Sequence, residues 1–398
     1  MRSHHDLIII GGGCAGLSLA ARLSSYGEDA PRTLVVDSRA GYSNDRTWCF
    51  WRLPGTLAQE LVEYEWSQFR IAGAGKEVRV DCSATPYCAI PAERFYWNSL
   101  AAISGNERIG LVNQAPVHGV VGGGPGRWEV ETAAGSYSAT NVVDTRPARA
   151  PRQGDALLWQ SFLGVEVEYE KGSFDARQVT LMDFGGTPGQ RMVFTYILPF
   201  DARRALVEIT EFSPYAVVPG ELQPLLRGAL DRLVPGREGR VVRTESGVLP
   251  MGMLGASPGG VQWGDGRWSY VQAGVAGGGA RSCTGYAFQR IQRWAERCAL
   301  QIREHGSPVG HAKDPVTLAF LDHLFLRVLR DRPQLAPQLF AQLFGKAATG
   351  SVLRFLGDWA TAADIVRVVA ALPPGPFVKA LMSLCAEPAA AWRESLVS

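Results

Sequence analysis

Residues 6–23 read Asp6-Leu-Ile-Ile-Ile-Gly11-Gly-Gly13-Cys-Ala-Gly16-Leu-Ser-Leu-Ala-Ala-Arg-Leu. Few backbones accept this pattern. Four apolar residues run into a glycine-rich turn, and an apolar-periodic helix follows (Leu17, Leu19, Ala20, Leu23). Gly11 permits a tight turn out of a strand, Gly13 lets a pyrophosphate approach the backbone, and Gly16 lets the helix lie close to the sheet. The helix start then offers free N–H groups and the positive end of its dipole to an anion. A second strand, Thr33-Leu-Val-Val-Asp37, ends in an acid 21 residues after Gly16, placed to accept a ribose hydroxyl. Together these elements predict a β-α-β unit that holds a dinucleotide. The competing reading is a glycine-rich turn in some other α/β protein.

At 398 residues the chain is long enough for two or three structural units around a large core. Its 40 basic and 38 acidic residues leave a net charge of +2, which supplies no electrostatic argument for nucleic acid. The seven cysteines (14, 49, 82, 88, 283, 298, 385) are odd in number and widely scattered. They predict reduced thiols in a cytoplasmic protein, and with the scattered histidines they outline no metal site. The nucleotide-binding strand starts at residue 6, so no signal peptide is expected, and no apolar run reaches spanning length.

Residues 41–105 read as an aromatic-rich connection ending in a helix near Ala92–Ile103. Alternating strands follow over 108–146, closing on Asn141-Val-Val-Asp144, and Arg146–Arg152 marks a boundary. Residues 156–215 are dominated by strand patterns, 220–235 are helical, and 240–253 return to strand. Trp268–Gly274 is a strand entering a second glycine cluster, Gly274-Val-Ala-Gly277-Gly278-Gly279, and a helix is expected from about Gly285 to Glu304. The tail from about 314 has helical spacing. The expected organisation is an α/β fold. A discontinuous nucleotide-binding domain (1–150 and 262–310) is interleaved with a sheet-rich substrate domain (151–261), and a helical region (311–398) follows.

Seven blocks, in order, resemble the flavin-dependent lycopene cyclase family of carotenoid biosynthesis. They are Asn44-Asp-Arg-Thr-Trp-Cys-Phe-Trp51, Val143-Asp-Thr-Arg-Pro147, Leu158-Trp-Gln-Ser-Phe-Leu-Gly164, Leu181-Met-Asp-Phe184, Phe194-Thr-Tyr-Ile-Leu-Pro199, Leu206-Val-Glu-Ile-Thr210 and Ala276-Gly-Gly-Gly-Ala-Arg-Ser-Cys-Thr-Gly-Tyr286. The likeness extends over nearly the whole chain. It implies an FAD-binding Rossmann-like domain with an antiparallel-sheet substrate domain. It also implies reduced FAD as the active cofactor, with NAD(P)H as electron donor. The implied reaction is a proton-initiated ring closure of a linear polyene, an isomerisation with no redox change in the product. Two places depart from the family pattern: the glycine cluster is followed by Arg281-Ser-Cys-Thr-Gly-Tyr, where the family often has a proline or alanine before Ser-Thr-Gly-Tyr, and Val165 stands where it commonly has tryptophan. Both are expected to reshape the substrate channel.

The resemblance marks Glu208 as the acid–base residue. The run Ala205-Leu-Val-Glu-Ile-Thr is apolar enough to be buried, which would raise a carboxyl's pKa. A solvent-facing glutamate on an alternating strand is the other reading. Asp183 is the second acid candidate, or else a turn aspartate before Gly185-Gly186. For cofactor binding, the expected residues are Gly11, Gly13, Gly16, Asp37, Arg46, Thr47, Gly274, Gly277 and Gly278. Trp48, Trp51 and Tyr286 are expected at the substrate, where aromatic faces stabilise a cation; domain-interface packing competes for Trp51. The tail helices present apolar faces with Arg327, Arg330, Arg354, Arg367 and Lys379. They suit peripheral contact with the inner face of the cell membrane, or a cap on the core. A flavin monooxygenase or prenyl reductase, a cyclase of another linear terpenoid, and a non-catalytic polyene-binding flavoprotein are the rival functions. Against a typical hydroxylase, Gln272-Ala273 stands where those enzymes carry Gly-Asp.

Overall fold

Leu7–Ile10 are buried on both sides, as their unbroken apolar run requires of a central parallel strand. The computed structural model describes residues 4–122, 126–147, 154–185, 191–253 and 268–386. The chain starts with β1 (His4–Ile10), α1 (Cys14–Ser24), β2 (Thr33–Val36), β3 (Thr47–Trp51), β4 (Tyr64–Trp66), β5 (Gln68–Gly73), β6 (Lys76–Asp81) and β7 (Tyr87–Pro91). It continues through α2 (Ala92–Ser104), β8 (Ile109–Val112), β9 (Val117–Gly122), β10 (Trp128–Thr132) and β11 (Gly135–Asp144). Then come β12 (Ala156–Glu168), β13 (Gln178–Asp183), β14 (Met192–Pro199), β15 (Arg204–Ser213), α3 (Gln223–Leu233), β16 (Arg240–Met253) and β17 (Ser269–Gln272). Helices close the chain: α4 (Phe288–His305), α5 (Val316–Asp331), α6 (Ala336–Lys346), α7 (Thr349–Leu356), α8 (Ala362–Ala371) and α9 (Pro374–Ala386).

The first sheet has the order β8-β2-β1-β11-β10-β9, with β17 also on β11. Its pairs β1–β2, β1–β11, β2–β8 and β11–β17 are parallel. One face packs against α1, α2 and α4, and the other closes under the β9–β10 ribbon. This is the expected Rossmann-type unit, and β17 and α4 join it from far along the chain.

The second sheet runs β16-β12-β15-β14-β13-β5-β6. Its inner face meets the cap of α5–α9, and Val165, Val207 and Ile209 on the outer face are covered by α3. Two expectations are corrected here. The stretch read as a connection supplies β5 and β6 to this sheet. Because β5 comes from before the crossover, it joins β13 in parallel, so the sheet is mixed rather than antiparallel. A third sheet, β3-β7-β4, bridges the two. Parts of the expected organisation lie outside the described residues: positions 148–152 of the first boundary, the start of the nucleotide-binding segment at 262, Gly186 and the last residues, 387–398.

Candidate active site

The glycine-rich turn is built as the sequence requires. Gly11 has φ +97°, in the region that favours glycine. A Cβ on Gly16 would run into the Gly11 carbonyl oxygen, so the helix approaches its strand as only glycine allows. Gly13 is the N-cap of α1 and makes no side-chain cap, and a Cβ there would meet only the tip of Arg39, at 3.9 Å. The helix therefore presents open N–H groups to the space before it. Asp37 is buried and does not line that space. One of its oxygens accepts from the Gly12 N–H, the other accepts from the Arg39 N–H at 2.7 Å, and the carboxylate holds the turn from behind. The residue from this corner that lines the space is Arg39, which sequence reading missed.

A cavity of about 1400 Å³ begins at Gly13, Cys14 and Ala15 and reaches Phe377, Val378 and Leu381 on α9. Ligand sites usually measure about 300–1000 Å³, so this one has room for a nucleotide and a second, apolar ligand together. Gln272 and Gly274 line it. Gly277 and Gly278 do not; they shape the turn, where a Cβ on Gly277 would strike the Gln272 carbonyl and Gly278 adopts φ +85°. The helix expected from Gly285 begins later, at Phe288. Arg281–Gly285 form a turn instead, with Gly285 at φ +71° and the Arg281 N–H donating to the Tyr286 carbonyl at 3.0 Å. The helix start is thus displaced from the second glycine cluster. His311 takes over part of that corner: Nε2 accepts from the Gly274 N–H at 3.1 Å, and burial holds the imidazole neutral by lowering its pKa to about 3.

Glu208 lines the cavity and is only 8% exposed, so the solvent-facing reading fails. On the inner face of β15 it receives a hydrogen bond from Thr210 Oγ1 at 2.7 Å. Burial, reinforced by the nearby Glu245 carboxylate, pushes its pKa up to about 8. Glu245 and Arg243 are two further candidates that sequence reading missed. Glu208 and Glu245 both pair with Gly164, one from each side of β12. Their backbones are thus two strand spacings, about 10 Å, apart. Gly164 puts no side chain between them, and a Cβ there would press on Glu208 Cβ at 3.2 Å. Glu245 is held by Arg243 Nη1 and by Thr47 Oγ1 at 2.9 Å. Arg243 also donates to Thr47 Oγ1 at 2.6 Å and to Glu166 at 2.7 Å.

The structure gathers most of the other expected residues here. Arg46 and Thr47, expected at the cofactor, stand beside this carboxylate group; Arg46 Nη1 donates to the Ser246 carbonyl at 3.4 Å. Trp51 packs on Tyr87 (4.8 Å between ring centroids) and Tyr286 (5.7 Å), and all three line the cavity. Trp48 lines it too, packed on Phe95 and Phe288. Tyr196, on the inner face beside Glu208, shares a hydrogen bond with Tyr87 at 3.0 Å. Asp183 is elsewhere. It accepts from Arg70 at 2.8 Å and from the Gly185 N–H at 2.8 Å and does not line the cavity that Glu208 lines, which corrects the second-acid expectation. Of the two departures from the family pattern, Val165 packs under α3 and does not touch the channel; in the segment after the glycine cluster Arg281 is buried among the cap helices while Cys283 lines the cavity.

The arrangement combines an anion-binding helix end, an apolar channel, and a buried carboxyl poised to carry a proton. The Trp51 and Trp159 Nε1 and Gln160 Oε1 atoms are buried without partners among the described residues, in side chains that line the same cavity. The open backbone at Gly13, with Cys14, Ala15, Arg39 and Gly274 around it, fits a dinucleotide cofactor.

Among known proteins, a family model described as lycopene cyclase protein matches residues 6–382. A lycopene beta-cyclase from Paracoccus sp. (strain N81106 / MBIC 01143) is 26% identical over 405 residues, covering 96% of this chain and 98% of that protein. Among solved structures, a geranylgeranyl bacteriochlorophyll reductase-like protein from Thermoplasma acidophilum superposes with a TM-score of 0.61 at 13% identity, covering 96% and 99% of the two chains. A probable FAD-dependent monooxygenase, PqsL, from Pseudomonas aeruginosa gives 0.51 at 13% identity, covering 96% and 100%.

Proposed function

The chain belongs to the lycopene cyclase family, and from that premise we propose that it closes the linear ends of lycopene into ionone-type rings, an isomerisation without net redox change that depends on reduced FAD. The observation that carries this reading is Glu208, a buried carboxyl with a raised pKa facing an apolar cavity that continues to an uncapped helix N-terminus.

Gly13, Cys14 and Ala15, with Arg39 and Gly274, would hold the FAD. When bound and reduced, with NAD(P)H as electron source, it supplies negative charge beside a cation. The rest is work for the chain. Glu208 donates its proton to the terminal double bond of the polyene, leaving a carboxylate and a tertiary carbocation. A neighbouring double bond attacks the cation and closes a six-membered ring. The Glu208 carboxylate then takes a C–H proton from the ring carbon next to the cation, which forms the ring double bond and restores the acid, so the formula of the product equals that of the substrate. Trp51 and Tyr286 face the cation, each aromatic face contributing about 0.5–2 kcal/mol. The apolar walls (Phe194, Phe212, Leu206) keep water from capturing it.

Anaerobic incubation with lycopene, FAD and NADPH in liposomes is expected to yield cyclic carotene of unchanged mass. Added oxygen would mark a hydroxylase and added hydrogen a reductase, and either result would sink this reading. Failure on lycopene with success on another linear terpenoid would keep the chemistry and change the substrate.

We also propose that the far end of the cavity rests on a membrane. Val369, Val378 and Leu381 line the cavity and are at the same time exposed, beside Val366 and Met382, which is 67% exposed. No single helix among the described residues is long and apolar enough to cross a membrane; α8 and α9, bent at 106° to one another, reach that length and apolarity only together. An apolar mouth of this kind lies in the interface plane, admitting a lipid-dissolved polyene. Burying one such side chain is worth about 1.5–3 kcal/mol. Val378→Asp/Met382→Asp is therefore expected to weaken liposome co-sedimentation at least about tenfold while flavin binding is retained. Unchanged sedimentation would place the membrane contact elsewhere.

A further inference from the structure

From the register of the second sheet we infer that Glu245 is a positioning residue for the acid: an ionised carboxylate, clamped by Arg243 and Thr47, that keeps the proton of the carboxyl pair on Glu208. The inference rests on the proposed role of Glu208 and adds a component that acts through it.

The geometry decides which member of the pair carries the proton. Both carboxyls are buried and both line the cavity. They stand on neighbouring strands of Gly164, and the missing side chain leaves no wall between them. Two like charges in one dry site resist joint ionisation. Their partners differ. Glu245 takes a guanidinium N–H from Arg243 and the hydroxyl of Thr47, both of which favour the charged form. Glu208 takes a single hydroxyl, from Thr210.

The charges around the pair leave Glu208 without a counter-ion. On this inner face Arg243 and Arg204 meet Glu166, and Arg243 meets Glu245, so two guanidiniums are matched by two carboxylates. Glu208 is the third carboxyl. Burial raises the Glu245 pKa as well, but there Arg243, Thr47 and Arg46 all oppose the rise and favour the ionised form, whereas Glu208 has the Glu245 charge adding to its own rise. The remaining titratable neighbours are Cys49 on β3, whose thiol burial pushes up to about 12, and the Tyr196 and Tyr87 phenols, which burial raises well above their ordinary range. None of these three supplies charge near neutral pH. Glu245 thus holds negative charge throughout the cycle and neither gives nor takes the transferred proton.

The test is a pH–rate profile for Glu245→Gln with flavin bound. Wild type is active while Glu208 is protonated, and its rate falls as the pH rises through about 8. Removing the Glu245 charge lowers the Glu208 pKa, and the released Arg243 charge lowers it further. The alkaline limb is expected to move down by at least about one pH unit, giving roughly a tenfold loss at about pH 8.5 and little change at about pH 6. Glu245→Asp, which keeps the charge, is expected to restore the limb. A Glu245→Gln profile that keeps the wild-type limb overturns the inference; a Glu208→Gln enzyme that is fully active with flavin bound overturns the underlying reading instead. Infrared difference spectra of the wild type give a check that needs no folded Glu245 variant. One carboxylic acid C=O band is expected near neutral pH, absent in Glu208→Gln. Two such bands, or none, would overturn the shared-proton arrangement.

Discussion

Glu208→Gln is expected to reduce ring formation by about 10²–10⁴-fold, the usual range for losing a positioned acid, while the folded protein still binds flavin. The substitution is nearly isosteric, and the amide oxygen can still accept the Thr210 hydroxyl hydrogen bond made at 2.7 Å. Its N–H₂ group can face the Glu245 carboxylate without repulsion. What it lacks is an acidic proton. Stability is expected to move the other way. Burial raises the folded-state pKa of Glu208 from 4.5 to about 8, so the folded chain retains a proton that the unfolded chain has released between those values. The wild-type stability contributed by that proton is full below about pH 4.5 and is lost as the pH rises toward about 8. Glutamine has no such titration. The variant should therefore be more stable than wild type at about pH 8 and above, by an amount on the order of 1 kcal/mol or more. Product formation by initial rate and denaturant midpoints at two pH values check both halves. A variant with flavin bound that cyclises at the normal rate would remove Glu208 from the reaction.

How much of this site could be read from the sequence depended on how local its constraints are. The turn at Gly11–Gly16 was legible because each glycine answers a backbone requirement within a few residues of itself. Glu208 was legible from its apolar strand and the block around it. Glu245 was not, because Arg240-Val-Val-Arg-Thr-Glu reads locally as an exposed, alternating strand, and Val241 and Val242 are in fact exposed. What turns Glu245 inward is its pairing with β12, about 80 residues away in the chain, and the vacancy at Gly164. Local signal was present but unread at two places. Gln68-Phe-Arg-Ile-Ala-Gly and Lys76-Glu-Val-Arg-Val-Asp alternate around a short turn, the mark of the β5–β6 hairpin. Gly285, at φ +71°, was a reason to start α4 later. Asp183 misled because an acid closing an apolar strand looks like a site residue, whereas its partner Arg70 is 113 residues distant in the chain.

Arg281, which opens the segment that departs from the family pattern, leads to the second large effect. Arg281 is completely buried. Its Nε and Nη2 grip Asp322 of α5 at 3.1 and 2.9 Å, its Nη1 donates to the Phe355 carbonyl, and its guanidinium lies 4.3 Å from the centre of the Phe355 ring. Asp358, 3.8 Å away, is shared with Arg290 and Arg293 of α4. The turn after the second glycine cluster is thereby tied to the helices that cap the cavity. Arg281→Met is expected to destabilise the protein by about 3–5 kcal/mol, because it strands the Asp322 carboxylate in a dry interior. A typical folding stability is only about 5–15 kcal/mol, so the loss should appear as a large drop in denaturant midpoint and as rapid proteolysis within 316–386. The attraction within a buried pair roughly offsets the cost of desolvating it, and apolar replacement of both partners is often neutral. Arg281→Met/Asp322→Leu should therefore recover at least half of what the single substitution loses. Recovery would assign the penalty to the stranded carboxylate and leave the network a role in fixing where the cap sits. If the two substitutions simply add, Arg281 stabilises the cap through its contacts with Phe355 and Asp358, and the Asp322 pair is not the joint that holds it.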